Sequence, residues 1–194
     1  MRAFLAVPPD PEWAARVGER VRVLRPSLPA ASWTRPESWH LTLRFFAEIP
    51  AEAVQRCADE TFRAAGVPAA ELPTAGSVVF PPRGRARVLG LGFAPGSAVS
   101  ALGVLAAEAE TAARRLGAAP EDRVYHPHVT LARIRFPWPQ AAVERFRREA
   151  DGWELPPFHL GAIVVYESRL GPSGAVHTPL RTLALAHPQQ QVGA

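Results

Sequence analysis

WHLTLRF, residues 39–45, and PHVTLARIRF, residues 127–136, repeat one pattern, a histidine followed by x-Thr-Leu. The two histidines, His40 and His128, stand 128 − 40 = 88 residues apart. Both segments read as β-strands, because apolar and polar residues alternate and side chains on a strand point to opposite faces in turn. His40 and Thr42 therefore share one face and Leu41 and Leu43 the other; His128/Thr130 and Val129/Leu131 divide in the same way. A single polar His-Thr face could simply be wet. Two copies can line a common groove.

Working outward from these strands, the rest of the chain alternates strands and helices. Arg2 to Val7 is a short apolar run stopped by Pro8 and Pro9. Asp10 and Pro11 open a helix whose Trp13, Val17, Val21 and Leu24 recur at helical spacing. The first motif reads as a strand from Trp39 to Ala47, and Pro50 opens a helix over 51–65. Leu72 to Phe80 and Arg87 to Phe93 form a candidate hairpin across PPRGRA, a turn carrying Arg83 and Arg85. Ser97 is the expected cap of an Ala-rich helix ending near Gly117, and the second motif follows as a strand from His128 to Ile134. A helix over 137–150 and strands over 159–168 and 176–186 complete the order, with LGPSG as the last turn and HPQQQVGA as a frayed tail. This order implies an α+β, largely antiparallel fold. A doubly wound α/β sheet is the second choice, since no Gly-rich phosphate loop follows any expected strand.

Composition sets the outer bounds. A chain of 194 residues, 47% hydrophobic and 21% charged, can build one good core and is expected to be a single domain over 1–194. All 22 basic residues are arginine, against 18 acids, a formal net charge of +4. Arginine suits bidentate phosphate recognition, although a surplus of four charges does not choose the anion. The one cysteine, Cys57, lies in an expected helix without a catalytic neighbour and reads as structural. No apolar run reaches the roughly 18 residues of a membrane span. A cytoplasmic monomer that contacts no membrane is the expectation.

The residue types in the two motifs define a chemistry. Histidine titrates near neutral pH, so one imidazole can accept a proton while another donates one. Displacement at phosphorus uses both acts, on opposite sides of the phosphate. Thr42 and Thr130 can hydrogen-bond its nonbridging oxygens. Arg44, four residues beyond His40, falls on the same face by alternation and is a candidate phosphate ligand. His126 and His128 together form an HxH pair that could hold a metal, but no acidic or cysteine ligand adjoins them, and the reading carries no metal and no cofactor. His159, His177 and His187 read as surface or strand-packing residues.

WHLTLRFFAE and YHPHVTLARIRF resemble the two signatures of the two-histidine (2H) phosphoesterase superfamily. Within it they are similar to the bacterial and archaeal RNA 2′,3′-cyclic phosphodiesterases, formerly called 2′-5′ RNA ligases. RAFLAV at the start, the hairpin with its arginine-bearing turn and the late VVYESRL match that family's landmarks in order. The resemblance implies a bilobal α+β fold of two pseudo-symmetric lobes, mainly antiparallel sheet with outer helices, around a central cleft. It implies RNA ends with a 2′,3′-cyclic phosphate, or cyclic nucleotides, as substrates. His128 would be the base that activates water and His40 the acid that protonates the departing 3′ oxygen, leaving a 2′-phosphate. Run backwards with a 5′-hydroxyl, the same groups would join RNA ends through a 2′-5′ bond without ATP. Arg133 matches a phosphate-contacting arginine of the family, yet five residues beyond His128 it should face away unless a bulge redirects it. Phe4 is a candidate for stacking on a base, with a core position as its alternative. The chain departs from the family at FFAE, where FLGE is common, and at His177, where a tyrosine is common. The competing readings are a non-catalytic RNA-binding module and a metal-dependent phosphohydrolase using His126 and His128.

Overall fold

The structure, a computed structural model, describes residues 1–171 and 174–186. His187, the rest of the tail and two residues of the LGPSG turn lie outside the described residues. The elements in order are β1 (Ala3–Val7), α1 (Pro11–Leu24), β2 (Ser32–Trp33), β3 (Leu41–Phe46), α2 (Ala51–Ala65), β4 (Ala70–Leu72), β5 (Thr74–Phe80), β6 (Val88–Phe93), α3 (Ser97–Arg115), β7 (His128–Arg133), α4 (Gln140–Asp151), β8 (Phe158–Leu160), β9 (Ala162–Gly171) and β10 (Gly174–Ala184). All strand pairs described are antiparallel. The fold is α+β, as the element order implied.

Local sequence accounts for where these elements begin and end. The Asp10 carboxylate accepts the Trp13 N–H at 2.9 Å, capping α1, and its other oxygen accepts the His159 N–H at 3.3 Å, tying the cap to β8. Trp13, Val17, Val21 and Leu24 are buried along one stripe. Several boundaries differ from the sequence reading. α3 is capped by the backbone of Gly96, with Ser97 already inside the helix. α4 starts at Gln140 because Pro139 holds Trp138 out of the helical region. The expected strands 72–80 and 159–168 each divide, at Pro73 and at Gly161, and the short pieces β4 and β8 leave the main sheet to pair with each other.

The main sheet runs β10-β9-β1-β3-β7-β6-β5, with β2 on β7. Its two halves meet at β3 and β7 through the single registered pair Leu41↔Val129. That pair is separated by 129 − 41 = 88 residues, and in the small sheet Glu71↔His159 is separated by 159 − 71 = 88. Residues that are equivalent under the sequence repeat thus pair with each other at both crossings. A pseudo-twofold axis passing through both pairs produces that result. The helices α2 and α3 pack together against the first half, and α4 packs against β5 of the second. β10 extends the first half without a counterpart, so the two histidine environments are not identical.

Candidate active site

His40 stands just before β3 and His128 is the first residue of β7, so both motifs meet at the seam between the halves. The antiparallel crossing at Leu41 and Val129 turns His40 toward Thr130 and Thr42 toward His128. Each imidazole is anchored in the same manner. His40 Nδ1 lies 2.8 Å from the Ser38 carbonyl oxygen, and His128 Nδ1 lies 2.8 Å from that of His126. A carbonyl only accepts, so each Nδ1 carries the hydrogen and donates, which leaves each Nε2 as the reactive atom. Thr42 and Thr130 are half-buried, and neither hydroxyl has a protein partner among the described residues.

An aromatic ring braces each histidine. Phe4 stacks on His40 at 4.5 Å between centroids, and Phe80 lies against His128 at 4.8 Å. Phe4 is 2% exposed and also stacks on Tyr166 at 5.0 Å, so it is closed off from any incoming base. Its place is under the imidazole, which corrects the base-stacking expectation.

The two arginine expectations exchange places, and one backbone feature is responsible. β3 carries a bulge at Leu43, between the pairs Ala6↔Thr42 and Leu5↔Arg44. β7 carries one at Leu131, between Gly90↔Thr130 and Leu89↔Ala132. These positions again differ by 131 − 43 = 88 residues. A bulge adds one residue and reverses the alternation beyond it. Arg133 is thereby turned to the face of His128 and Thr130, and its side chain is exposed. Arg44 is turned away and buried at 6% exposure, its Nε 2.6 Å from Glu110 and its other nitrogens donating to the Phe45 and Ala119 carbonyls. Arg44 is therefore a strut between β3, α3 and the loop leading to β7, and it does not face the cleft.

Burial shapes the electrostatics. Desolvation drives the His40 pKa down from 6.5 to about 4; the Ser38 carbonyl opposes this, while His177, Arg133 and His128 add to the fall. The His128 pKa is also lowered, chiefly by burial and further by Arg133 and His126. The Arg133 charge is thus felt at both imidazoles. With only these neighbours both histidines favour the neutral form, and an arriving anion supplies the charge that lets one of them hold a proton.

His177 on β10 is a packing residue, one of the two readings its sequence allows, and what it packs against is His40 and Phe4. Its ring is 5.2 Å from His40 and 4.9 Å from Phe4, and its Nδ1 is buried without a partner. Sequence reasoning misses Tyr166 and Phe80. His177 and Tyr166 reach His40 from strands distant in sequence, so periodicity within the motif gives no sign of them. Phe80 is the residue just before the arginine-bearing turn, a position the sequence does make visible. His126 contributes its carbonyl to His128, and its ring is turned toward Phe80 at 5.9 Å. Among the described residues no three His, Cys, Asp or Glu side chains converge as a metal would need. His159 packs in β8, its ring where a Cβ on Gly161 would meet it at 2.7 Å. Cys57 is fully buried and burial lifts its thiol to about 11, consistent with a structural part.

The chain is similar to known proteins in sequence and in fold. A curated relative from Aeropyrum pernix, named RNA 2′,3′-cyclic phosphodiesterase, is 31% identical over 148 residues, 74% of this chain and 80% of its own length. One of the same name from Methanothermobacter thermautotrophicus is 26% identical over 95% of this chain and 99% of its own. A crystal structure from Thermus thermophilus superposes with a TM-score of 0.70 at 26% identity, covering 97% of this chain and 100% of that one. The LigT like phosphoesterase family model matches twice, over residues 7–90 and 93–177, one match for each HxT motif. A repeat that pairs equivalent residues at its seam and is recognised in both halves is an enzyme of this family: the chain belongs to the LigT-like 2H phosphoesterases.

Proposed function

We propose that this phosphoesterase opens 2′,3′-cyclic phosphates at RNA ends, or on nucleotides, to 2′-phosphates without a metal ion. The observation that carries the reading is the matched anchoring of His40 and His128, each with Nδ1 on a backbone carbonyl, which leaves Nε2 as the ring nitrogen free to exchange a proton. The names of the curated relatives support the substrate class.

In the reaction, His128 Nε2 takes a proton from water as the oxygen attacks phosphorus. The P–O3′ bond breaks, and His40, protonated at Nε2, gives its proton to O3′. The products are a 2′-phosphate and a free 3′-hydroxyl. Thr42, Thr130 and Arg133 hold the nonbridging oxygens as charge shifts onto them. The anionic substrate raises the His40 pKa from its low value in the free enzyme, so binding prepares the acid. With a 5′-hydroxyl as the nucleophile or leaving group, the same groups would make or break a 2′-5′ linkage.

The test is product identification by 31P NMR after incubation with 2′,3′-cyclic AMP in excess EDTA. The expected product is the 2′-phosphate, and His40→Ala or His128→Ala should each lower kcat by roughly 10²–10⁴-fold while the fold is retained. Turnover that survives either substitution, or that EDTA abolishes, would sink the reading.

A further inference from the structure

The turn between β5 and β6 and the end of β7 form a cationic, aromatic-bearing rim on the His128 side of the cleft. The turn is seated firmly. Phe80, just before it, lies against His128; the Arg87 N–H donates to the Phe80 carbonyl at 2.7 Å, and the Ile134 N–H donates to the Arg87 carbonyl at 2.8 Å. Val88 pairs with Arg133. The exposed side chains of Arg83, Arg85 and Arg87 therefore start from the same end of the sheet as Arg133 and Arg135.

Two independent observations give this rim a direction. The sequence has no acidic residue between Glu71 and Glu108 or between Asp122 and Glu144, so β5, β6 and β7 carry arginine as their charge and nothing to neutralise it. The carboxylate that does touch β5, Asp151 from α4, meets it at Gly76 and Ser77, back along the strand from the turn. Next to Arg135, Phe136 is 80% exposed, the one aromatic among the exposed large apolar side chains of the described residues. Proline on its far side, Pro137, stiffens the backbone there. Closely spaced arginines with one open aromatic ring are what single-stranded nucleic acid uses, phosphates on the cations and a base on the ring.

We propose that this rim is a strand subsite for single-stranded RNA, in which Arg83, Arg85, Arg87 and Arg135 hold the phosphates preceding the terminal nucleotide and Phe136 stacks on a base. It rests on the proposed function, because it presumes that the reacting phosphate sits between His40 and His128. The subsite makes chain length matter: a cyclic mononucleotide fills the cleft alone, whereas an oligonucleotide also reaches the rim.

The experiment compares a 2′,3′-cyclic mononucleotide with a decaribonucleotide ending in the same cyclic phosphate. Both are assayed with the wild-type chain, with Arg83→Gln/Arg85→Gln, and with Arg135→Gln/Phe136→Ala. The expected result is a KM for the decamer that rises roughly tenfold or more in each variant, with kcat and the mononucleotide kinetics unchanged. Each phosphate contact removed should also flatten the log–log salt dependence of the decamer's kcat/KM by roughly 0.7. Decamer kinetics equal to wild type in both variants overturn the subsite and leave the proposed function standing. Equal loss on both substrates also overturns it, since the residues would then act only by seating the turn against His128. Failure of the wild-type chain on both substrates overturns the proposed function and the subsite together.

Discussion

His40 and His128 have the same anchor, the same neighbour two residues on and the same distance in sequence to a bulge, yet their surroundings differ. His40 is enclosed by Phe4, His177 and Tyr166, while His128 has Phe80 and the more open Arg133 side. An acid and a base need unlike environments, and β10, which has no counterpart in the second half, supplies the difference through His177. The sign of the pH dependence follows. A histidine whose pKa is held near 4 loses its proton as pH rises, by about tenfold in protonated fraction for each unit above that value. With His40 as the acid, kcat/KM, which reports the free enzyme, should therefore fall between pH 6 and pH 8. Arg133 lowers both histidines by its charge, so Arg133→Gln should move both titrations and the falling limb to higher pH. It should also cost about 1.5–3 kcal/mol of phosphate binding, roughly 10- to 150-fold in kcat/KM. Histidine titration by NMR and a pH–rate profile check the two halves of this prediction; unshifted titrations would place Arg133 away from the site.

At the scale of elements, the paired bulges decide what the motifs present. In the second motif they are legible: polar residues fall at 128 and 130, then at 133 and 135, so the phase changes between Leu131 and Ala132. In the first motif Arg44 conceals the same change, because a charged residue on the inward face reads as an outward one. Its charge is matched in the interior by Glu110, 66 residues away in sequence, and no local pattern announces such a partner. Strand and helix types are legible from period and proline placement. The divisions at Pro73 and Gly161 are less so, because the β4–β8 pairing that explains them is long-range. The Arg44–Glu110 pair has its own consequence. Burial pulls the Glu110 carboxyl up, and hydrogen bonds from Arg114, the Glu121 N–H and Arg44 outweigh it, leaving the group below its ordinary pKa. Arg44→Met leaves the inner oxygen of Glu110 and the Ala119 carbonyl without their donor and loosens the loop that leads to His128. It should destabilise the fold by roughly 2–3 kcal/mol, at the lower end for a broken buried pair because Glu110 is partly exposed. Adding Glu110→Leu should recover much of that loss. Urea unfolding of the two variants checks it, and a double variant no better than the single one would show that the pair is not a clamp.

For the whole molecule, the two halves meet along a seam that buries Leu41 and Val129 fully, and His40 and His128 flank that seam, so histidines kept neutral by desolvation sit where the halves join. Stability should therefore carry their signature. Above pH 6.5 both folded and unfolded chains hold neutral imidazoles, and His40 contributes no pH dependence. As pH falls from 6.5 toward about 4, the unfolded chain binds a proton that the folded chain resists, and stability is lost by up to roughly 3 kcal/mol from His40 alone. His128 and His177, also lowered, act with the same sign. Carboxylates held low by their partners, such as Glu121 at about 2, lose their contribution only at more acidic pH, so the interval from 6.5 to 5 belongs to the cleft. Urea unfolding at pH 7.5 and pH 5 should show a drop that shrinks in His40→Phe, which keeps a ring on Phe4 and removes the titration. Inorganic phosphate should oppose the drop in the wild-type chain, because an anion between the imidazoles stabilises their protonated forms, and it should do so much less in the variant. A wild-type stability that is flat across this interval, or a His40→Phe drop as large as the wild type's, would mean that the seam does not hold the histidine neutral and that the acid in the mechanism must be sought elsewhere.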